Sequence, residues 1–283
     1  MPQVPANGLD IAYEAEGEGP PLVLLHGASS SARADFEPQL ALLRQAFWCL
    51  SPDARGHGAT RWDVRDGFRY DWLVDDLGAF ADALGLDTFH LFGYSMGAST
   101  ALGFAVRHPE RLRTLVVAGI TPQREPRASV ARRLFDPARI AAQDPAWAAD
   151  LDRRHDPVQG EGAWERLLPA LAREVATQEL PGPAEIHRID VPTLVIVGDR
   201  DPFVPVDHAW GLKRQLRDAR LLVVPACGHE VTTRQPTLVN EALGAFYRST
   251  AAVAARRARA GIVPEDATRP QDPVMDRPTE VMR

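Results

Sequence analysis

The chain has 283 residues, of which 45% are hydrophobic and 25% charged, and its formal net charge is −6. These values predict a globular protein with a sizeable core and argue against a nucleic-acid-binding surface. The apolar runs are shorter than the roughly 20 residues that span a bilayer, and the first residues do not resemble a signal peptide, so we expect a cytoplasmic protein without membrane contact.

The first part of the chain alternates strand-like and helix-like segments. Residues 9–16 alternate apolar and polar side chains, which predicts a half-exposed strand. Residues 21–25 are continuously apolar, as in a strand that is buried on both faces of a parallel sheet. A helix is predicted over 36–46 and the next strand over 47–50.

The alternation continues through the middle of the chain. Apolar residues at helical spacing predict a helix over 70–84, and a short strand follows over 88–92. A further helix runs to 107, and residues 112–118 form another apolar run. The repeated strand–helix order predicts a parallel sheet with helices on both of its faces.

Residues 121–190 interrupt this pattern. They show no strand-like run and consist of Ala-, Arg- and Leu-rich stretches separated by prolines, which predicts a helical insertion. Strands then resume at 192–197 and 221–224, and the last core helix is predicted over 236–247. The residues beyond 248 have few large apolar side chains, so we expect a loose or disordered tail.

A candidate nucleophile lies between the strand ending at 92 and the helix that follows. Gly93-Tyr94-Ser95-Met96-Gly97 fits the pattern G-x-S-x-G, which is weak alone but specific when a strand precedes it and a helix follows. In this context Ser95 occupies a strained turn, with its hydroxyl exposed above the sheet. Glycines at positions 93 and 97 allow the strand and the helix to pass closely.

A serine hydroxyl needs a base, and the base needs an orienting group. His229 follows the last apolar strand in a turn, where a parallel sheet presents residues at its carboxyl edge. We therefore predict His229 as the base. Asp201 and Asp199 both follow the strand at 192–197. We predict Asp201 as the acid because it precedes a proline in the turn, and Asp199 remains the alternative.

The reaction also needs two N–H donors for an oxyanion. The backbone N–H of Met96 is predicted as the first donor and that of Ala28 as the second. In the insertion, Trp147 and Trp164 could line a substrate pocket, or they could simply pack on the main domain. No phosphate loop, dinucleotide motif or zinc-ligand spacing occurs, so neither a cofactor nor a metal is predicted.

Together these motifs resemble the α/β-hydrolase superfamily, in the branch of serine-nucleophile esterases with a helical cap. The resemblance extends over about residues 5–248, and its motifs, in family order, are His26-Gly27, Asp53-Ala54-Arg55-Gly56-His57-Gly58, Gly93-Tyr94-Ser95-Met96-Gly97, Gly198-Asp199-Arg200-Asp201-Pro202 and Gly228-His229. Epoxide hydrolases and haloalkane dehalogenases of this superfamily carry aspartate at the position of Ser95.

The resemblance implies an α/β fold with a mostly parallel sheet of about eight strands, helices on both faces and a cap inserted after the sixth strand. We therefore expect a core of residues 1–120 and 191–248, a helical cap or lid of residues 121–190, and a tail of residues 249–283.

The function predicted from these residues is hydrolysis of an ester, thioester or lactone through an acyl-enzyme on Ser95, acting on a small-molecule substrate. The same triad could instead serve carbon–carbon bond hydrolysis, acyl transfer or perhydrolysis, or the pocket could only bind a small molecule as a sensor. The sequence leaves the oligomeric state open.

Overall fold

The computed structural model describes residues 1–122 and 135–259, and its strands form one eight-stranded sheet in the order β1-β2-β4-β3-β5-β6-β7-β8. The strands are β1 Gln3–Ala6, β2 Leu9–Glu16, β3 Pro21–Leu25, β4 Trp48–Pro52, β5 Phe89–Tyr94, β6 Leu112–Ala118, β7 Thr193–Gly198 and β8 Ala219–Val224. The β1–β2 and β2–β4 pairs are antiparallel and all the others are parallel. The predicted mostly parallel sheet of eight strands is confirmed.

The α-helices of the described residues follow the predicted order. They are α1 Glu37–Leu43, α2 Tyr70–Ala83, α3 Met96–Arg107, α4 Pro137–Gln143, α5 Pro145–Gln159, α6 Ala163–Thr177, α7 Pro183–Ile186, α8 Val206–Gln215, α9 Val231–Arg234 and α10 Pro236–Arg259. Strand β1 was not predicted, because four residues are too few to show a period of two.

The central strands of the sheet are buried. Every residue of β7 is buried, as are the last four residues of β3 and six of the seven residues of β6. Parallel strands with helices on both faces have no solvated side, which explains why their sequences are continuous apolar runs rather than alternating ones. The carboxyl ends of these strands therefore open at one rigid edge of the sheet.

The described part of the insertion between β6 and β7 is helical, as predicted, and residues 123–134 of the predicted cap lie outside the described residues. Helices α4, α5 and α6 contribute to a second apolar cluster that also contains Phe68 and Leu73 from the main domain, together with Met96. Its buried members from the insertion are Ile140, Leu151, Trp164, Leu167, Leu168, Ala170 and Leu171. The division into core and cap stays a prediction.

The last helix is longer than predicted, since α10 continues past residue 247 to Arg259. Alanine and arginine dominate this extension, and both residue types favour helix. Residues 260–283 of the predicted tail lie outside the described residues. The chain divides into two compact units, Met1–Gly244 and Ala245–Arg283, and the whole sheet belongs to the first.

Across residues 1–122 and 135–259, every helix is too short or too polar to cross a membrane. The cytoplasmic location stays a prediction.

Strands β3 and β5 meet the start of α3 at very short range. A Cβ atom added to Gly93 would lie 2.2 Å from the carbonyl oxygen of Gly97, and one added to Gly97 would lie 2.0 Å from the carbonyl oxygen of Leu25. Real Cβ atoms do not approach backbone this closely, so only glycine fits at either position. The N–H of Gly97 also donates to the carbonyl oxygen of His26 over 3.0 Å. These glycines set the distance between the helix and the sheet.

We expect Gly97→Ala to destabilise the protein by about 1–3 kcal/mol or more, because the new methyl group collides with backbone that cannot rotate away. Gly211→Ala is the matched control. Gly211 lies within α8 with no atom within 4 Å of an added Cβ, so alanine there should be neutral or stabilise by about 0.5–1 kcal/mol. Urea denaturation of both variants tests this, and equal effects of the two substitutions would contradict it.

Candidate active site

Ser95 lies on a sharp turn between β5 and α3, as its sequence context predicted. Its backbone has φ 51° and ψ −110°, a conformation that residues other than glycine rarely adopt. The N–H of Ser95 donates to the carbonyl oxygen of Ala118 at the end of β6 over 2.8 Å. The strained turn is therefore held by the neighbouring strand.

His229 and Asp201 come from the loops that follow β8 and β7. The Nε2 atom of His229 lies 2.9 Å from the Oγ of Ser95, and its Nδ1 lies 2.7 Å from Oδ2 of Asp201. An ionised aspartate only accepts, so Nδ1 carries the proton and Nε2 is left to accept from the serine. The structure thus joins the three predicted residues in one hydrogen-bonded chain.

The side chain of Asp201 is fully buried and held on both of its oxygens. While Oδ2 faces the His229 ring, Oδ1 accepts the N–H groups of Phe203 and Val204, over 2.8 and 3.0 Å. Packing restrains the ring as well, because Phe203 meets it edge-on at a centroid distance of 5.0 Å and Tyr94 lies at 5.4 Å. The imidazole is therefore fixed in position by both hydrogen bonds and contacts.

The alternative acid, Asp199, has a different task. Its Oδ1 accepts the N–H of Cys227 over 3.0 Å, and backbone N–H groups at Cys227 and Ala226 lower the pKa of the Asp199 carboxyl. Asp199 therefore ties the end of β7 to the loop that carries His229. It does not contact the histidine ring.

The two predicted oxyanion donors also lie at the site. Among the described residues, the backbone N–H groups of Ala28 and Met96 donate no hydrogen bond, although most buried N–H groups have a partner. Ala28, Ser95 and Met96 line one cavity together with His229. Two free donors beside a nucleophile can stabilise the charge on a carbonyl oxygen under attack.

Two cavities meet at Ser95 and His229. The smaller has a volume of about 100 Å³ and the larger about 790 Å³. The apolar part of the smaller cavity's lining comes from Met96, Ile120, Phe135, Val175, Phe203 and Val204. A bond held at Ser95 would place one part of a substrate in each cavity.

The two predicted pocket tryptophans have different positions. Trp147 lines the larger cavity. Trp164 is not among the described residues that line these two cavities, and its pocket role stays a prediction. It is only 2% exposed within the second apolar cluster, and its indole N–H donates to Asp152 over 2.6 Å. The two residues are on neighbouring helices, and packing turns only Trp147 toward the site.

A profile of the family described as "Alpha/beta hydrolase family" matches residues 22–242 of the chain. This span includes Ser95, Asp201 and His229. The chain belongs to the alpha/beta hydrolase family.

Individual relatives agree with this assignment. A putative non-heme chloroperoxidase of Synechocystis sp. is 26% identical over 264 residues, which cover 85% of this chain and 95% of that protein. Serine hydrolase BPHL of Mus musculus is 28% identical over 246 residues, which cover 82% of this chain and 81% of that protein. Among solved structures, a meta-cleavage product hydrolase from Pseudomonas fluorescens matches with a TM-score of 0.76 at 22% identity, covering 87% of this chain and 97% of that one. The structural likeness shows the shared fold.

Three buried histidines, which the sequence did not mark as a group, hold the loop that carries Ala28. His26 and His57 have ring centroids 5.0 Å apart, and His155 from α5 lies 5.7 Å from His57. Each ring accepts one backbone N–H and faces one carbonyl oxygen, so all three are neutral.

The insertion reaches the same loop through Ser29, the residue after Ala28. Arg154 donates to the carbonyl oxygen of Ser29 over 2.8 Å, and Nε2 of His155 lies 3.3 Å from the same oxygen. Ser29 itself has φ 60°. The helical insertion therefore holds the strained loop that carries one of the free N–H donors.

Burial lowers the pKa of His155 from 6.5 to about 4. Between pH 6.5 and 4 the histidine is protonated in the unfolded chain but neutral in the folded protein. The free energy of unfolding is therefore highest above pH 6.5 and decreases as the pH falls toward 4. We expect His155→Gln to remove about 3 kcal/mol of this acid-induced loss, since each pKa unit corresponds to 1.36 kcal/mol.

The free energy of unfolding, measured at several pH values, tests the expectation. His187→Gln, a change of an exposed histidine outside the cluster, is the control for the substitution itself. An unchanged pH dependence in His155→Gln would show that this ring does not carry the acid sensitivity.

Proposed function

We propose that this chain is a serine hydrolase that cleaves an ester, thioester or lactone of a small to medium apolar substrate through an acyl-enzyme on Ser95. The observation that carries the proposal is the Asp201–His229–Ser95 chain, with contacts of 2.7 and 2.9 Å, beside two free backbone N–H donors. The mouse relative named as a serine hydrolase supports the same class of activity.

The first half of the reaction forms the acyl-enzyme. The Oγ of Ser95 attacks the carbonyl carbon while Nε2 of His229 takes its proton, and the carbonyl oxygen becomes an oxyanion between the N–H groups of Ala28 and Met96. When the carbonyl re-forms, the bond to the leaving oxygen or sulfur breaks, and His229 returns the proton to that atom. Asp201 stabilises the imidazolium throughout.

The second half repeats these steps with water. His229 removes a proton from water, the hydroxide attacks the acyl carbon, and the bond to Oγ breaks as His229 protonates the serine. The apolar side chains of the smaller cavity support an apolar part of the substrate there, whereas the larger cavity contains Trp147 together with charged side chains such as Asp150 and Arg154.

The first test is turnover of p-nitrophenyl esters of graded acyl length, with several lactones beside them, by the wild type and Ser95→Ala. We expect turnover to peak at one acyl length and to fall by about 10⁴-fold or more in the variant, because no other group forms the acyl-enzyme. Circular dichroism should show that the variant remains folded.

A fluorophosphonate probe separates a hydrolase from a pocket that only binds. A covalent adduct on Ser95, located by mass spectrometry, requires an activated hydroxyl and supports catalysis. Absence of labelling at neutral pH, with no turnover of any ester or lactone, would overturn the proposal in favour of a sensor.

The two neighbouring aspartates allow a matched comparison. We expect Asp201→Asn to lower kcat by about 10⁴-fold, because an amide no longer selects the proton on Nδ1 of His229. Asp199→Asn should stay within about tenfold of the wild type, because its amide oxygen can still accept the N–H of Cys227. Steady-state kinetics of the pair decides this, and a reversed order of the two effects would assign the acid to Asp199.

A further inference from the structure

Gln178 is a buried side chain without a partner. It follows the last residue of α6 and is 8% exposed, and its Oε1 atom has no hydrogen-bond partner. Its Nε2 atom makes no hydrogen bond within the described residues either, but that atom reaches solvent, so Oε1 is the buried atom of the amide that lacks a partner. Buried amide groups almost always make hydrogen bonds, so a buried amide oxygen without a hydrogen bond requires an explanation.

The other buried glutamine of the described residues shows the contrast. Gln39 also has an unpaired Oε1, but its Nε2 donates to the carbonyl oxygen of Thr232 over 2.9 Å. That hydrogen bond ties two segments together and accounts for the residue. Gln178 makes no comparable link, so its amide is not explained by the folded structure.

The position of Gln178 supplies the explanation. It lines the smaller cavity, the one that also contains Ser95 and His229. It also lines a groove of about 200 Å³ next to that cavity, and the residues shared by the two are Tyr70, Ser99, Ile120 and Gln178. Gln178 therefore belongs to the wall between the smaller cavity and the groove.

Ser99 adds a second polar group to the same wall. It lies in the first turn of α3, four residues after Ser95, and lines the same cavity. The next residue, Thr100, bonds its hydroxyl to the carbonyl oxygen of Met96 over 3.1 Å. The hydroxyl of Ser99 makes no such bond among the described residues, and Ser99 lines both the smaller cavity and the groove.

We propose that Gln178 is a specificity-determining residue whose amide, with the hydroxyl of Ser99, binds a hydroxyl or amide group on the part of the substrate that enters the smaller cavity. A volume of about 100 Å³ holds roughly three water-sized groups, so this part of the substrate is short. A hydroxyl or an amide both donates and accepts, which matches the two groups in the wall. The inference rests on the proposed function, because the substrate reacts at Ser95.

The test uses two pairs of esters with the same shape and different polarity. The acyl pair is p-nitrophenyl 3-hydroxybutanoate and p-nitrophenyl 3-methylbutanoate. The alcohol pair is 2-hydroxypropyl acetate and isobutyl acetate. We expect the wild type to prefer the hydroxyl member of one pair by about tenfold in kcat/KM, the effect of one additional hydrogen bond.

Gln178→Leu should bring this ratio close to one, because it removes the hydrogen bond that only the hydroxyl member makes. Gln215→Leu is the control, because Gln215 also has an unpartnered buried oxygen but lines neither cavity. It should keep the wild-type ratio. Turnover of both members of each pair by the wild type without a preference, or a preference that Gln178→Leu leaves intact, overturns the inference.

Two further readouts do not depend on turnover. Gln178→Leu should unfold at the same urea concentration as the wild type or a higher one, whereas a structural role for the amide would make the variant less stable and overturn the inference. The second readout is ligand binding to Ser95→Ala, measured by thermal shift. The ligands are ethyl 3-hydroxybutanoate and ethyl 3-methylbutanoate, together with the alcohol pair.

The inference is supported if the hydroxyl ligand binds Ser95→Ala more strongly than the methyl ligand does, and if this difference is lost in Ser95→Ala/Gln178→Leu. This holds even if the wild type hydrolyses none of these esters, because absence of hydrolysis would count against the proposed function alone. Equal binding of both members in each pair overturns the inference.

Discussion

The close approach of β3, β5 and α3 is the constraint on which the rest of the site depends. At positions 93 and 97, backbone carbonyl oxygens occupy the space that the Cβ atom of any other residue would need. This contact forces the chain to reverse over a single residue, and Ser95 takes the positive φ that the reversal requires. The same geometry exposes the serine hydroxyl and leaves the N–H of Met96 free at the start of a helix, where partial positive charge favours an oxyanion.

The second free donor depends on the insertion. Ala28 precedes Ser29, whose carbonyl oxygen is held by Arg154 and His155 of α5. The buried ring of His155 also accepts the N–H of Gly58, so one helix of the insertion is bonded to two loops of the main domain. Neutral, fully hydrogen-bonded histidines can be buried without an uncompensated charge, which is why such a network is compatible with a dry core.

Much of the fold could be predicted from the sequence because its signals are local. Apolar runs marked the central strands, and helical spacing marked α2, because the sheet is buried on both faces and the helix on one. Strand β1 was not predicted because it is short and lies at the edge of the sheet. The extension of α10 was not predicted as helix because an alanine- and arginine-rich composition fits a surface helix as well as a tail.

The sequence by itself predicted the types and the chain order of the three side chains that meet at the candidate site. A serine between two glycines, an aspartate after one strand and a histidine after the next each follow from local chemistry and from the rule that parallel strands end at one edge. The tertiary structure decided everything that depends on packing between distant segments. It chose Asp201 over Asp199 for the ring, turned Trp147 toward the site and Trp164 into the core, brought His155 to a loop 97 residues away, and left the amide of Gln178 without a partner. Side-chain direction and hydrogen-bond partners across such separations are set by the complete packed structure, so no local pattern encodes them.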